Sequence, residues 1–140
     1  MDFESWRKAG ISLGSGALLI CDHHTCVVDL AKSILHFFQH ECCAKCVPCR
    51  TGTHRLYQLM NDISIGKGTF EGLAEIQSLG LDMEILSNCG LGQTASVAVR
   101  DILKYFRTEV EEHIRDGYCQ AGVCKITKNQ PLIADEAVAA

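Results

Sequence analysis

Nine cysteines in 140 residues are the side chains of this sequence best suited to do chemistry. Three of them stand in the run Cys43-Ala44-Lys45-Cys46-Val47-Pro48-Cys49, a C-x2-C-x2-C spacing. That spacing lets one short loop wrap three thiolates around three corners of a cubane iron-sulfur cluster. In the common form of the run a fourth cysteine and a proline follow at once, but here Thr53 holds that place and Arg50-Thr51-Gly52 leads into a helix. The fourth ligand must come from elsewhere. Cys89 is the candidate, in Ser87-Asn88-Cys89-Gly90-Leu91-Gly92. Its flanking glycines let backbone approach a bulky cofactor and aim N–H groups at sulfur. Four thiolates also suit a tetrahedral zinc ion, which is the alternative for this set. Cys42 adjoins the run but points another way from Cys43, as a packed bystander.

A second set is more dispersed. Cys26 opens the first long predicted helix, His113 lies in the last turn of the final one, and Cys119-x4-Cys124 follows it. In an up-down-up-down bundle the start of the first helix and the end of the fourth share one end. Cys26, His113, Cys119 and Cys124 then form a candidate CysCysCysHis zinc site that pins the C-terminal segment to the bundle. The alternative is His113 as a cation at a helix C-terminus beside free or packed thiols. His23 and His24 compete for the same region, and at most one of them would serve. His36 and His40 are four apart on one helix and read as solvated or packed residues without a partner ligand.

Composition removes several functions. Thirteen basic and seventeen acidic residues give a net charge of −4, with the basic residues scattered, so no nucleic-acid footprint is present. The apolar run at 17–21 is far too short to span a bilayer. The opening residues are polar and acidic and do not read as a signal peptide, which leads to the expectation of a cytoplasmic chain. Reduced thiols and an odd cysteine count make a disulfide framework the poorer expectation. No Ser/His/Asp constellation stands out, no paired carboxylates flank the cysteines, and no G-x-G-x-x-G follows a strand. Gly66-Lys67-Gly68-Thr69 lacks the spacing of a phosphate loop and reads as a helix–helix turn. No dinucleotide-binding or phosphate-binding loop is therefore read from this chain.

The elements that must position these residues are mainly α-helical. Apolar residues recur at helical spacing over 25–40 (Val27, Leu30, Ala31, Ile34, Leu35 and Phe38, with Thr25 as N-cap). They recur again over 49–64, 69–79 and 94–115, with Thr69 capping the third helix, Gly80 near its end, and Val99, Ile102, Leu103, Phe106, Val110 and Ile114 marking the fourth. Short connections predict a four-helix bundle at 25–115. A lead-in with a short strand at 17–21 occupies 1–24, and a cysteine-containing segment with an extended tail occupies 116–140. The strand has no partner in this chain, so a neighbouring subunit is expected to supply a sheet edge. The connection after the first bundle helix and the one before the fourth lie at the same end, which brings Cys43, Cys46, Cys49 and Cys89 together.

Glu41-Cys42-Cys43-Ala44-Lys45-Cys46-Val47-Pro48-Cys49-Arg50-Thr51-Gly52 resembles the cluster signature of the NADH-binding flavoprotein subunit of respiratory complex I and of electron-bifurcating hydrogenases and transhydrogenases. Cys89-Gly90-Leu91-Gly92-Gln93-Thr94-Ala95 is similar to that family's second signature, and Cys119-Gln120-Ala121-Gly122-Val123-Cys124-Lys125 is similar to its bifurcating branch. The resemblance runs from about residue 2 to 126. It implies a helical-bundle domain holding one [4Fe-4S] cluster on Cys43, Cys46, Cys49 and Cys89, which takes electrons from a flavin. Ala44 stands where the family usually has Gly, and Cys42 where it usually has Ser. The family's flavin and nicotinamide domain is missing, so the chain is expected to be a split-off subunit or a fragment that binds neither FMN nor NAD(P) alone. The implied partners are a flavin- and NAD(P)-binding subunit and other iron-sulfur subunits. The chain itself is expected to be a non-catalytic electron relay, with no nucleic-acid partner and no membrane insertion. A zinc-only structural module, a cluster enzyme with an open iron site and an oxidant sensor are the rival readings. Four cysteine ligands argue against the second, and the lack of a basic helix argues against a DNA-binding sensor.

Overall fold

The stripe that follows Thr25 folds as a helix because Val28, Ala31 and Leu35 recur on one face, and all three are completely buried. The structure, a computed structural model, describes residues 3–10, 16 and 18–126. Seven helices lie among them: α1 (Phe3–Lys8), α2 (Val27–Glu41), α3 (Val47–Ser64), α4 (Phe70–Leu86), α5 (Gly90–Thr94), α6 (Val97–Tyr105) and α7 (Arg107–Arg115). The chain is mainly α-helical, and no strand is present among the described residues.

Three long helices carry the core. α2 packs on α3 and α3 on α4, while α6 reaches both α2 and α4 and α7 reaches α2 and α3. α3 begins with Pro48 in its first turn, where the missing N–H costs no hydrogen bond, and buries Leu56, Leu59, Met60 and Ile63. It ends in a Schellman motif. Gly66 takes φ +75°, Lys67 N–H donates to Asp62 O at 2.7 Å, and Gly66 N–H donates to Ile63 O at 3.1 Å. Gly66-Lys67-Gly68 is thus the helix–helix turn expected from the sequence. Thr69 caps α4, its Oγ1 accepting from Gly72 N–H at 3.0 Å.

Three expectations need correction. The predicted third helix does not stop near Gly80 but runs on to Leu86. Gly80 is a point of close approach, because a Cβ there would lie 3.0 Å from the Cβ of Ser96, whose hydroxyl donates to the Gly80 carbonyl at 3.1 Å. The predicted helix over 94–115 is two pieces, α6 and α7, preceded by the short α5 that ends at Thr94. Its break at Phe106 (φ −124°, ψ 28°) turns that ring half out to solvent while Val110, His113 and Ile114 stay buried. The fourth arm of the expected bundle is therefore segmented. Finally, no strand forms at 18–21, where Leu18, Leu19 and Ile20 are exposed (67%, 67% and 86%). A strand needs a hydrogen-bonded neighbour, and none of the described residues supplies one. Ala17 and the expected tail at 127–140 lie outside the described residues.

Ala44 is the described non-glycine residue with a positive φ, +60°. A Cβ in the left-handed region costs about 1–2 kcal/mol. Ala44→Gly is expected to raise stability by roughly 0.5–1 kcal/mol, because glycine's greater unfolded-state entropy offsets part of the relief. Urea melts of the two forms at one pH check this, and an unchanged or lower midpoint would contradict it.

Candidate metal centres

The loop between α2 and α3 and the loop between α4 and α5 meet. Cys46 is the N-cap of α3 and Cys89 the N-cap of α5, both with extended backbone. The Cys46 thiol is shifted toward its thiolate, chiefly by the backbone N–H of Asn88 from the other loop and then by that of Cys49. Cys49 sits in the first turn of α3 and is buried. Burial pushes its thiol up to about 12, helped by contact with Cys42 and by the charges of Cys42, Cys46 and Cys89. Cys43 and Cys89 are exposed. Arg50 turns back over the loop, its guanidinium donating to the Ala44 carbonyl at 3.4 Å.

Cys42 and Cys43 point different ways, as expected from the sequence, but it is Cys42 that turns toward the ligand set. Its Sγ lies 3.3 Å from that of Cys49 and accepts the Ala44 N–H at 3.4 Å. The doubled cysteine at 42–43 was the available signal. Alternation along an extended segment sends one of two neighbours toward the loop's interior, and the sequence does not say which.

The donor set fits a cluster. The thiols come from two loops in contact, backbone N–H groups already face one sulfur, and a buried hydroxyl beside them, Ser87 Oγ, has no hydrogen-bond partner. Gly92 closes the packing, since a Cβ there would fall 2.5 Å from Ser87 Oγ and 2.9 Å from the Cβ of Cys49. Gly92→Ala is therefore expected to displace Cys49 and lower bound iron at least about threefold, with little change in helix content. Iron analysis beside far-UV circular dichroism tests this, and undiminished iron would contradict the placement.

The second set is tighter. Cys26 Sγ lies 3.2 Å from His113 Nε2 and 3.5 Å from Cys124 Sγ, and the ligand atoms of Cys26, His113, Cys119 and Cys124 all lie within 4.8 Å of one another. With Zn–S bonds of about 2.3 Å, a tetrahedral ion holds its sulfurs about 3.8 Å apart, so the four groups fit one zinc ion. Cys26 and His113 are buried, and Cys119 and Cys124 are half-buried. His113 Nδ1–H donates to Glu109 O at 2.7 Å, which leaves Nε2 free to ligate. Cys26 faces inward because tertiary contact caps α2: Val27 N–H donates to Glu109 Oε1 at 3.2 Å, so Thr25 is not the N-cap. Of the competing histidines, His23 and His24 are exposed and gather with Asp22 away from this set.

Without a metal these groups form a thiolate–imidazolium pair. The Cys124 thiol, then His113, holds Cys26 down at about 4 against the penalty of burial. Burial alone would lower His113, but Cys26, the Glu109 carbonyl and Cys119 together raise it to about 9. Contact with Cys26 and burial push the Cys124 thiol up. Burial also raises the Glu109 carboxyl.

The Cys26 contribution to stability is complete above its ordinary 9.0 and is lost as pH falls through about 4. The His113 contribution is complete below 6.5 and is lost as pH rises through about 9. Chelator-treated protein is thus expected to show a stability plateau between about pH 6.5 and 9. Acidification below 6.5 then lowers stability, partly offset by the raised Glu109 carboxyl. Urea melts across this range check it, and a steady rise in stability from pH 6.5 down to 4 would contradict the pair.

Comparison with known proteins agrees with the helical fold and with an iron-sulfur binding region in this chain. The profile of the NADH-ubiquinone oxidoreductase-F iron-sulfur binding region matches residues 29–113, which hold Cys43, Cys46, Cys49, Cys89 and His113. The HndC subunit of the NADP-reducing hydrogenase of Solidesulfovibrio fructosivorans is 38% identical over 89% of this chain and 25% of its own length. The F component of the NADH-quinone oxidoreductase of Streptomyces coelicolor is 40% identical over 91% of this chain and 28% of its own. The chain thus spans about a quarter of the length of these relatives. Among solved structures, an NAD+-reducing [NiFe]-hydrogenase in the H2-reduced state superposes with a TM-score of 0.66 at 32% identity, covering 68% of this chain and 17% of that one. With well over half of its length matched, the chain belongs to the family of the NADH-ubiquinone oxidoreductase-F iron-sulfur binding region.

Proposed function

We propose that this chain is an electron-transfer unit that holds one [4Fe-4S] cluster on Cys43, Cys46, Cys49 and Cys89 and one structural zinc ion on Cys26, His113, Cys119 and Cys124. The observation that carries the first part is the close approach of two segments: Gly92, three residues after Cys89, packs so near Cys49 that a Cβ there would fall 2.9 Å from its Cβ, and the backbone N–H of Asn88 acts on Cys46. A bound [4Fe-4S] cluster supplies a site for one electron, at a potential set between about −700 and +450 mV by charge, hydrogen bonds and burial. The chain's own residues set that potential. The N–H groups of Asn88 and Cys49, the free Ser87 hydroxyl, and the positive charges of Lys45 and Arg50 all favour the more negative, reduced state. The burial of Cys49 and the packing of Gly92 keep water from one side.

The relatives named above belong to NADH- and NADP-linked oxidoreductases. That supports a flavin- and NAD(P)-binding unit as electron donor or acceptor, other iron-sulfur subunits as the opposite partner, and an electron-bifurcating complex as one setting. The exposed apolar segment Leu18, Leu19 and Ile20 is the contact we assign to the flavin-binding unit. It borders a cavity of about 480 Å³ lined by Leu19, Val27, Leu30, Ile102 and Phe106. No helix among the described residues is long and apolar enough to cross a membrane, and we assign the chain to the cytoplasm.

Anaerobic preparation followed by iron, sulfide and zinc analysis tests this. About four iron, four sulfide and one zinc per chain are expected, in a brown sample. Zinc alone in a colourless sample would replace the relay with a structural module. Iron without zinc would overturn the second site only.

A further inference from the structure

Five cysteines, not four, stand at the cluster end. Cys42 is the C-cap of α2, in extended conformation (φ −66°, ψ 122°). Its Sγ is fixed from two sides, 3.3 Å from the buried Cys49 Sγ and 3.4 Å from the Ala44 N–H. Cys43, the next residue, is exposed, whereas Cys42 is half-buried. The thiol that the loop turns toward Cys49 is therefore Cys42, one residue before the position that the C-x2-C-x2-C spacing selects.

The backbone between the two cysteines and α3 also carries strain. Ala44 follows Cys43 in a left-handed conformation that its Cβ disfavours. Rotation of the loop at this residue would relieve that strain, and it is the movement that an exchange of the two side chains requires. Cys46, Cys49 and Cys89 are anchored by α3 and α5 and take no part in that rotation.

We propose that Cys42 is an alternate ligand of the cluster, able to take the corner assigned to Cys43, so that Cys42, Cys46, Cys49 and Cys89 form a second complete ligand set. This rests on the cluster reading given above. The exchange moves one iron–sulfur bond from Cys43 to Cys42. Cys42 gives up its proton on binding, Cys43 takes one on leaving, and no electron is gained or lost. A chain with two interchangeable ligands at its exposed corner keeps its cluster when one of those thiols is oxidised or alkylated.

The test uses the full chain, co-produced anaerobically with its flavin-binding partner, as wild type, Cys42→Ala, Cys43→Ala, the double variant Cys42→Ala/Cys43→Ala, and Cys46→Ala as reference. Iron and sulfide per chain are measured, with electron paramagnetic resonance of the dithionite-reduced protein and far-UV circular dichroism to check folding. Cys43→Ala is expected to keep at least about three-quarters of wild-type iron with shifted g-values, because one ligand has changed. Cys42→Ala keeps the iron and the wild-type spectrum, and the double variant falls to the level of Cys46→Ala. Iron in the wild type with Cys43→Ala as empty as Cys46→Ala would overturn this proposal alone. So would a double variant that keeps as much iron as Cys43→Ala, since water would then be filling the corner. A wild-type chain without iron would overturn the cluster reading and the proposal with it.

Discussion

Cys89→Ser is expected to cut bound iron from about four atoms per chain to below about one, while leaving the protein folded. Cys89 is the thiol that comes from outside the α2–α3 loop, and three thiolates on one loop leave the fourth corner open. A serine oxygen is a harder and poorer ligand for iron-sulfur iron than a thiolate. The substitution is nearly isosteric, and the residue is exposed at the N-cap of a short helix, where serine is itself a favoured cap. Stability of the metal-free chain should therefore move by no more than about 0.5 kcal/mol. Iron and sulfide analysis, the brown absorbance and circular dichroism separate loss of the ligand from loss of the fold. A Cys89→Ser protein that retains four iron atoms would remove Cys89 from the ligand set.

His113→Ala carries the second large effect, at the other centre. The ring is fully buried, and its Nδ1–H satisfies the Glu109 carbonyl at 2.7 Å. Truncation opens a cavity, leaves that carbonyl without this donor and removes one of the four proposed zinc ligands. Each of these mechanisms is destabilising, and together they predict a loss of about 3–5 kcal/mol, or a fall in Tm of about 10 °C or more. A buried histidine with a purely packing role would give part of this loss as well, so chelation distinguishes the two. A strong zinc chelator should lower the Tm of the wild type toward that of His113→Ala and leave the variant unchanged. Equal melting of treated and untreated wild type would sink the zinc site, whatever the variant does.

The sequence named all four residues of this centre, but the N–H of Val27 shows why a local rule missed how α2 is capped beside it. Thr25 is a sound N-cap by composition, yet α2 begins one residue later because Glu109, far along the chain, supplies the acceptor. A capping rule sees only the residues near a helix end, while a carboxylate from α7 arrives by tertiary packing. Gly80 follows the same logic. Glycine near a predicted helix end suggests a stop, but here its missing Cβ admits Ser96 and the helix continues. Phe106 completes the apolar stripe of a single long helix, yet the chain breaks there and the ring turns outward. Periodicity records which residues are apolar and not whether one straight rod can present them all to the same core.

What the sequence by itself determined is the helical class of the chain, the three long helices, the turn at Gly66-Lys67-Gly68, and the identity of the residues able to bind metal. All of these are local: a stripe of apolar residues, a glycine with positive φ, or a thiol type at fixed spacing carries the same meaning in any fold. The sequence's helix order already placed the distant groups at shared ends, and the tertiary structure decided how closely and in what orientation they meet. It brought Cys26, His113, Cys119 and Cys124 within 4.8 Å, laid Asn88 against Cys46, and turned Cys42 rather than Cys43 toward Cys49. Those outcomes depend on helix ends and loop rotations, where a single residue of slip reverses the direction of a side chain. They are fixed by the packing of the whole core and by no short stretch of the chain.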